Sequence, residues 1–175
     1  MKLVNELLRA LRNKKYEETQ NGVFFPGSGF ELKGMFDLQV NDGPIDYFPN
    51  LVVDEWRTRA LEVLFLDATK STSFFLAPYV ANQSPLATWT GADFATNATE
   101  FTNYDESTRR PWTVSAVDNF SVSNNATKAV FTIGAGVQTT IWGVGLLTSS
   151  TKGGTTGYLV AANRSAAARD NLQTG

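Results

Sequence analysis

The chain has no cysteine and no histidine among its 175 residues. Without cysteine there is no disulfide framework, thiolate nucleophile or thiolate metal site, which is compatible with synthesis in a reducing cytoplasm. Without histidine, acid–base work near neutral pH would fall to Asp, Glu, Lys or Tyr with displaced pKa values. Charge is also scarce. Fifteen Lys and Arg against 17 Asp and Glu give a net charge of −2, and no basic stripe runs through the body, which argues against a generic nucleic-acid binder. Residues 129–151 are uncharged, yet glycines, threonines and Gln138 interrupt them, so a β-hairpin fits better than a membrane span. The opening MKLVNELLRALRNKK is broken by Glu6 and Arg9 and lacks a signal-peptide core. A single domain is the natural reading of this length.

What is present reads mostly as strands. FELKGMFDLQV (30–40) alternates apolar Phe30, Leu32, Phe36, Leu38 and Val40 with polar residues, the pattern of an antiparallel surface strand. Asn41-Asp42-Gly43-Pro44 is a turn, and Ile45, Tyr47 and Phe48 begin a partner strand. Further strands are expected at 73–80, 112–122, 129–133, 138–148 and 158–161, with Pro78 marking an edge or bulge. Gly134-Ala135-Gly136 signals a hairpin between the stretches 129–133 and 138–148.

Two helices interrupt this pattern. Leu3, Val4, Leu7, Leu8 and Leu11 recur at three- and four-residue steps, so residues 1–22 are expected to form an arm, a short amphipathic helix and a polar linker, that folds back on its own domain or else packs on a neighbouring subunit or host surface; Lys2, Arg9 and Arg12 are too few to favour a membrane. The second helix is expected over 51–65, capped by Asn50 or, from a later start, by Asp54. Its apolar stripe comprises Val53, Trp56, Ala60, Leu61, Leu64 and Phe65, while Glu55, Arg57, Arg59 and Glu62 line the wet side. It would plug an open end or cover one face of a sheet. The expected architecture is therefore mainly β: an antiparallel β-sandwich or collapsed, jelly-roll-like barrel over 23–162, with one inserted helix, an N-terminal helical arm and a C-terminal tail over 163–175.

Candidate chemistry is thin. The acid pairs Glu17-Glu18, Asp54-Glu55 and Asp105-Glu106 leave a carboxylate hydrolase open, but adjacent acids are the ordinary content of a wet face or loop. Asp37, Asn41, Asp42 and Asp46 gather hard oxygens around a turn without calcium-loop spacing. TSSTKGGTTG (148–157) lacks the spacing of a P-loop and reads as a hairpin tip. Trp89 and Tyr104, in the long, turn-rich segment 81–111, are the residues a host-glycan site would use, whereas Trp56 and Trp142 fall in core patterns. No catalytic residue, metal or cofactor is assigned.

Three segments, FELKGMFDLQVNDG, DYFPNLVVDEWRTRALEVLFLD and TTIWGVGLLTS, together resemble a family of small tailed-bacteriophage virion structural proteins. Glu55-Trp56-Arg57 stands where the family usually has Glu-Gly-Leu. The stretch from Glu100, Phe101, Thr102 and Tyr104 to Thr108, Arg109, Arg110 and Pro111 resembles a family loop, and the likeness spans 30–160. The resemblance implies no active site. It implies a capsid decoration or cement protein on the virion exterior, touching the major capsid protein and copies of itself, or else a tail or baseplate component contacting tail proteins; neither a specific nucleic acid nor a membrane is implied. Leu3, Leu7, Leu8 and Leu11 on the arm, Trp89 and Phe94 in the long segment, and Arg109 and Arg110 at its end are the expected contact residues.

Overall fold

In a computed structural model the described residues are 16–18, 24–26, 32–119, 121–135 and 139–172. The chain divides into two compact units, Met1–Leu32 and Lys33–Gly175. The expected arm helix lies outside the described residues. In the first unit Tyr16–Glu18 (β1) and Phe24–Pro26 (β2) pair antiparallel.

The second unit is mainly β, built on one curled, antiparallel half-barrel sheet with two helices. Its six strands are β3 (Gly34–Leu38), β4 (Asp46–Val52), β5 (Phe75–Tyr79), β6 (Arg110–Pro111), β7 (Thr139–Leu147) and β8 (Leu159–Leu172), in the order β3-β4-β8-β7-β5-β6. The β7–β8 hairpin lies at the centre, and the chain passes from one side of it to the other through helix α1 (Asp54–Phe65). The β3–β4 hairpin follows its local pattern. Phe36 faces Phe48 across the ladder and both are buried, and the Gly43 N–H donates to Val40 O at 2.9 Å to close the turn.

The main core gathers Val53, Ala77, Tyr79, Trp89, Phe94, Ala98, Leu147, Leu159 and Ala162. The Tyr79 and Phe94 rings meet edge to face at 5.9 Å. Gly143 and Gly145 make this possible. A Cβ at Gly145 would fall 2.4 Å from the Phe94 ring, and one at Gly143 would fall 2.5 Å from the Tyr79 ring. Two glycines separated by one residue thus hollow one face of β7 to admit two aromatic rings.

Four expectations are corrected. Residues 50–52 stay in β4, with Leu51 and Val52 opposite Ala162 and Ala161, so α1 starts at Asp54 and Asn50 caps nothing; Val53 holds the N-cap position without a side-chain bond. Among the described residues, 112–122 pair through an isolated Asp118–Ser121 bridge and 129–133 through Ile133, opposite Tyr104. Valines there suggested strands, but the outer segment is largely exposed and has no ladder partner. Strand β7 pairs instead with β5 and β8. Finally, β8 does not stop at Ala161: it runs to Leu172, through most of the expected tail. Ladder bonding to β7 carries it past the small residues Ala161 and Ala162, with register shifts along the way.

Candidate interaction surface

The segment 81–111 is too long for a plain connection; it holds short elements of its own and sets several of its side chains in the core. Thr90 and Asp93 form a reciprocal capping box that starts a short helix, α2 (Gly91–Asp93), which continues as a π-helical turn over Phe94–Thr99. The bonds from the Thr90 backbone and hydroxyl hold the Asp93 carboxyl below its usual pKa range. Trp89 is 3% exposed and Phe94 is fully buried. Both are core residues, and neither can present a contact surface. Tyr104, also named for a glycan groove, is 4% exposed and packs against Phe131 and Phe101. The glycan reading thereby loses the aromatics it depends on.

Arg109 is likewise corrected from a surface cation to a fully buried one. Its Nε donates to Glu100 Oε1 at 2.9 Å and its Nη2 to Glu100 Oε2 at 2.6 Å, a two-point ion pair with both side chains inside. Its remaining donors reach Ser149 O and Gly154 O at 3.0 Å each, and Glu100 Oε2 also accepts from the Gly153 N–H at 3.0 Å. Lys152, in the hairpin tip 148–157, lies over the Tyr104 ring at 3.8 Å and donates to Tyr104 O at 2.6 Å. The hairpin tip 148–157 is therefore bolted to the end of the long segment. Arg110 is half-buried in β6, and its Nε has no hydrogen-bond partner. At Glu106 partial burial opposes ionisation, but bonds from the Glu106 and Thr132 backbones and the Thr132 hydroxyl, with a smaller contribution from the Arg110 charge, outweigh it and keep that carboxyl below its usual range.

Helix α1 is anchored at its start and bare at its end. Glu55, assigned to the wet side, is half-buried; its Oε2 accepts from the Gly91 N–H at 3.0 Å and the Leu159 N–H at 2.7 Å, joining α1, α2 and β8 at one oxygen. The Asp54 N–H donates to Ala87 O at 2.8 Å, and Trp56 stacks edge to face on Phe74 at 5.5 Å. Farther along, the expected core stripe faces solvent. Leu61 is 49% exposed, Leu64 58%, Phe65 75% and the following Leu66 74%. A second apolar set, Val114, Val117, Val122 and Val130, is exposed on the irregular 113–130 segment. Burial of one large aliphatic side chain is worth roughly 1.5–3 kcal/mol, so the exposed end of α1 carries unused association energy.

Three of the paired acids have structural partners: Asp54 pairs with Arg57 at 3.1 Å, Glu55 binds backbone, and Glu106 accepts from Thr132; the side chains of Glu17 and Glu18 are not among those described. Asp46, at the turn considered for calcium, is 3.0 Å from Arg169 and accepts from Ser165. Among the described residues no group of three or more acidic side chains is placed to hold a metal ion, and no helix is long and apolar enough to cross a membrane. Leu3, Leu7, Leu8 and Leu11 lie outside the described residues. Of the sequence-level signals, Thr90-x-x-Asp93 could have located α2; nothing local marks Glu55 or Glu100 as anchors. Comparison with protein-family models, curated proteins and solved structures finds no match to this chain.

Proposed function

We propose that this chain is a non-enzymatic structural protein of a tailed-phage virion, a capsid decoration or cement protein that acts with other copies of itself to bridge neighbouring major capsid subunits. The observation that carries the reading is the solvent-facing apolar end of α1: Leu61, Leu64, Phe65 and Leu66 are exposed on a unit that fills its own core with other residues. Such a surface suits a protein whose contacts are individually modest and become strong through repetition on a symmetric particle. The bolted loops support it too, because a rigid body transmits load between the neighbours it touches. On this reading the half-barrel is a variant of the collapsed, jelly-roll-like barrel suggested by the sequence.

The test is a density map of the intact virion with this chain's copy number. Hundreds of copies on the capsid exterior, with the α1 end against a neighbouring protein, are expected. A few copies confined to the tail would replace the decoration reading with a tail or baseplate one. Absence from the particle would end both.

A further inference from the structure

We infer that the exposed end of α1 receives the N-terminal segment, residues 2–12, of a second copy of this chain. The inference rests on the proposed bridging role for its choice of a neighbouring copy, and on the following observations for its site. The patch follows helical spacing, with Leu61, Leu64 and Phe65 at i, i+3 and i+4 and Leu66 beside them, all about half exposed or more. Its natural complement is another amphipathic helix, packed ridge into groove. The segment 2–12 supplies that pattern through Leu3, Leu7 and Leu11, and a helix of this length is marginal in water without a surface to lie on.

Charge favours the same occupant. Residues 1–15 hold five basic side chains, Lys2, Arg9, Arg12, Lys14 and Lys15, against Glu6 alone. The last turn of α1 contains no basic residue to offset the negative end of its dipole. Around that end, Asp67 is exposed and Glu62 is paired at 2.9 Å with Arg59, whose Nη2 also donates to Thr69 O. A basic amphipathic segment meets a partly uncompensated negative helix end, whereas α1 against α1 in parallel would place two such ends together.

The cysteine-free chain makes the test clean, because every disulfide formed must come from introduced residues. Full-length Leu7→Cys and Leu64→Cys chains are prepared separately, mixed under mild oxidation and resolved without reductant. The expected result is a disulfide-linked dimer that requires both variants. In parallel, Leu64→Asp, a change at an exposed position that circular dichroism can show to be folded, should weaken self-association about tenfold or more in sedimentation. No mixed dimer, a dimer formed as readily by Leu64→Cys alone, or an intrachain link in the doubly substituted chain as the main product would each overturn the inference. A chain that cross-links as expected but has no place on a virion would leave this contact standing and remove the virion reading. Particle occupancy without the cross-link would do the reverse.

Discussion

Glu55 and Leu159, 104 positions apart, are joined by a 2.7 Å bond from the Leu159 N–H to the Glu55 carboxylate, and the same oxygen accepts from Gly91. One side chain in the first turn of α1 thus fixes where the central strand β8 begins and where α2 is seated. Gly91 is glycine for a related reason: a Cβ there would lie 2.3 Å from Gly157 O.

Glu55→Ala leaves two backbone donors without this acceptor and is expected to cost about 2–4 kcal/mol in urea unfolding, because an unmet buried N–H forfeits its solvation. Glu55→Gln keeps an acceptor oxygen and should cost less. Asp54→Ala, which removes only an exposed pair with Arg57, should cost under about 1 kcal/mol. Equal losses for Asp54→Ala and Glu55→Ala would contradict the anchoring role.

The buried Arg109–Glu100 pair should behave asymmetrically. Arg109→Met strands the Glu100 carboxylate inside the protein and is expected to destabilise by about 3–5 kcal/mol. Adding Glu100→Gln to Arg109→Met removes the stranded charge and should recover part of the loss, a coupling readable from a double-mutant cycle. Strictly additive effects would mean that the pair does not hold the 148–157 tip.

How much of this was readable in advance depends on how far apart the cooperating residues lie. The β3–β4 hairpin was legible because alternation from Phe36 to Val40 and the turn at Asn41-Asp42-Gly43 are local. Helix α1 was legible in type but not in start, since Leu51 and Val52 are held in β4 by β8, more than a hundred residues on. Its apolar stripe was legible as a pattern, yet a pattern does not say what covers it, and Leu64 and Phe65 turn out to be exposed. Arg109-Arg110 before a proline resembles a wet turn, and only the arrival of Glu100 and the 149–154 backbone buries the first arginine. Trp89 and Phe94 were hidden by the neutral, turn-rich residues around them, although the Thr90-x-x-Asp93 spacing does mark a helix start.

Gly145 should tolerate no side chain while Phe94 occupies its place. Gly145→Ala forces a Cβ into the ring and is expected to destabilise by about 1–3 kcal/mol. In a Phe94→Leu background the same substitution should cost clearly less, because the clashing ring edge is gone. An unchanged penalty would assign the effect to β7 itself.

Glu106 sets an acid-side prediction. Its carboxyl is held below its ordinary value of 4.5, so its stabilising contribution is complete above that pH and is lost as the pH falls through the lower folded value. The stability difference between the native chain and Glu106→Gln should therefore be present at neutral pH and shrink progressively below about pH 4.5, as measured by urea midpoints along an acid series. A pH-independent difference would show that only hydrogen bonding to Thr132, and not charge, is at work.

Tyr104 offers the opposite limb. Burial is the main cause that pushes its phenol above the ordinary value of 10, reinforced by the Glu100 charge, and its hydroxyl is buried without a hydrogen-bond partner. A raised folded pKa means that stability is intact below pH 10 and declines above it, as the unfolded chain ionises first. Tyr104→Phe keeps the ring beneath Lys152 and removes the unpaired hydroxyl, so at neutral pH it should be neutral or stabilising by up to about 1 kcal/mol. Above pH 10 it should lose less stability than the native chain, with a residual decline from Tyr79, whose phenol burial also raises. Denaturant midpoints across an alkaline series decide the matter. A marked loss at neutral pH would mean that the hydroxyl has a partner after all, and an unaltered alkaline decline would mean that the phenol is not desolvated in solution.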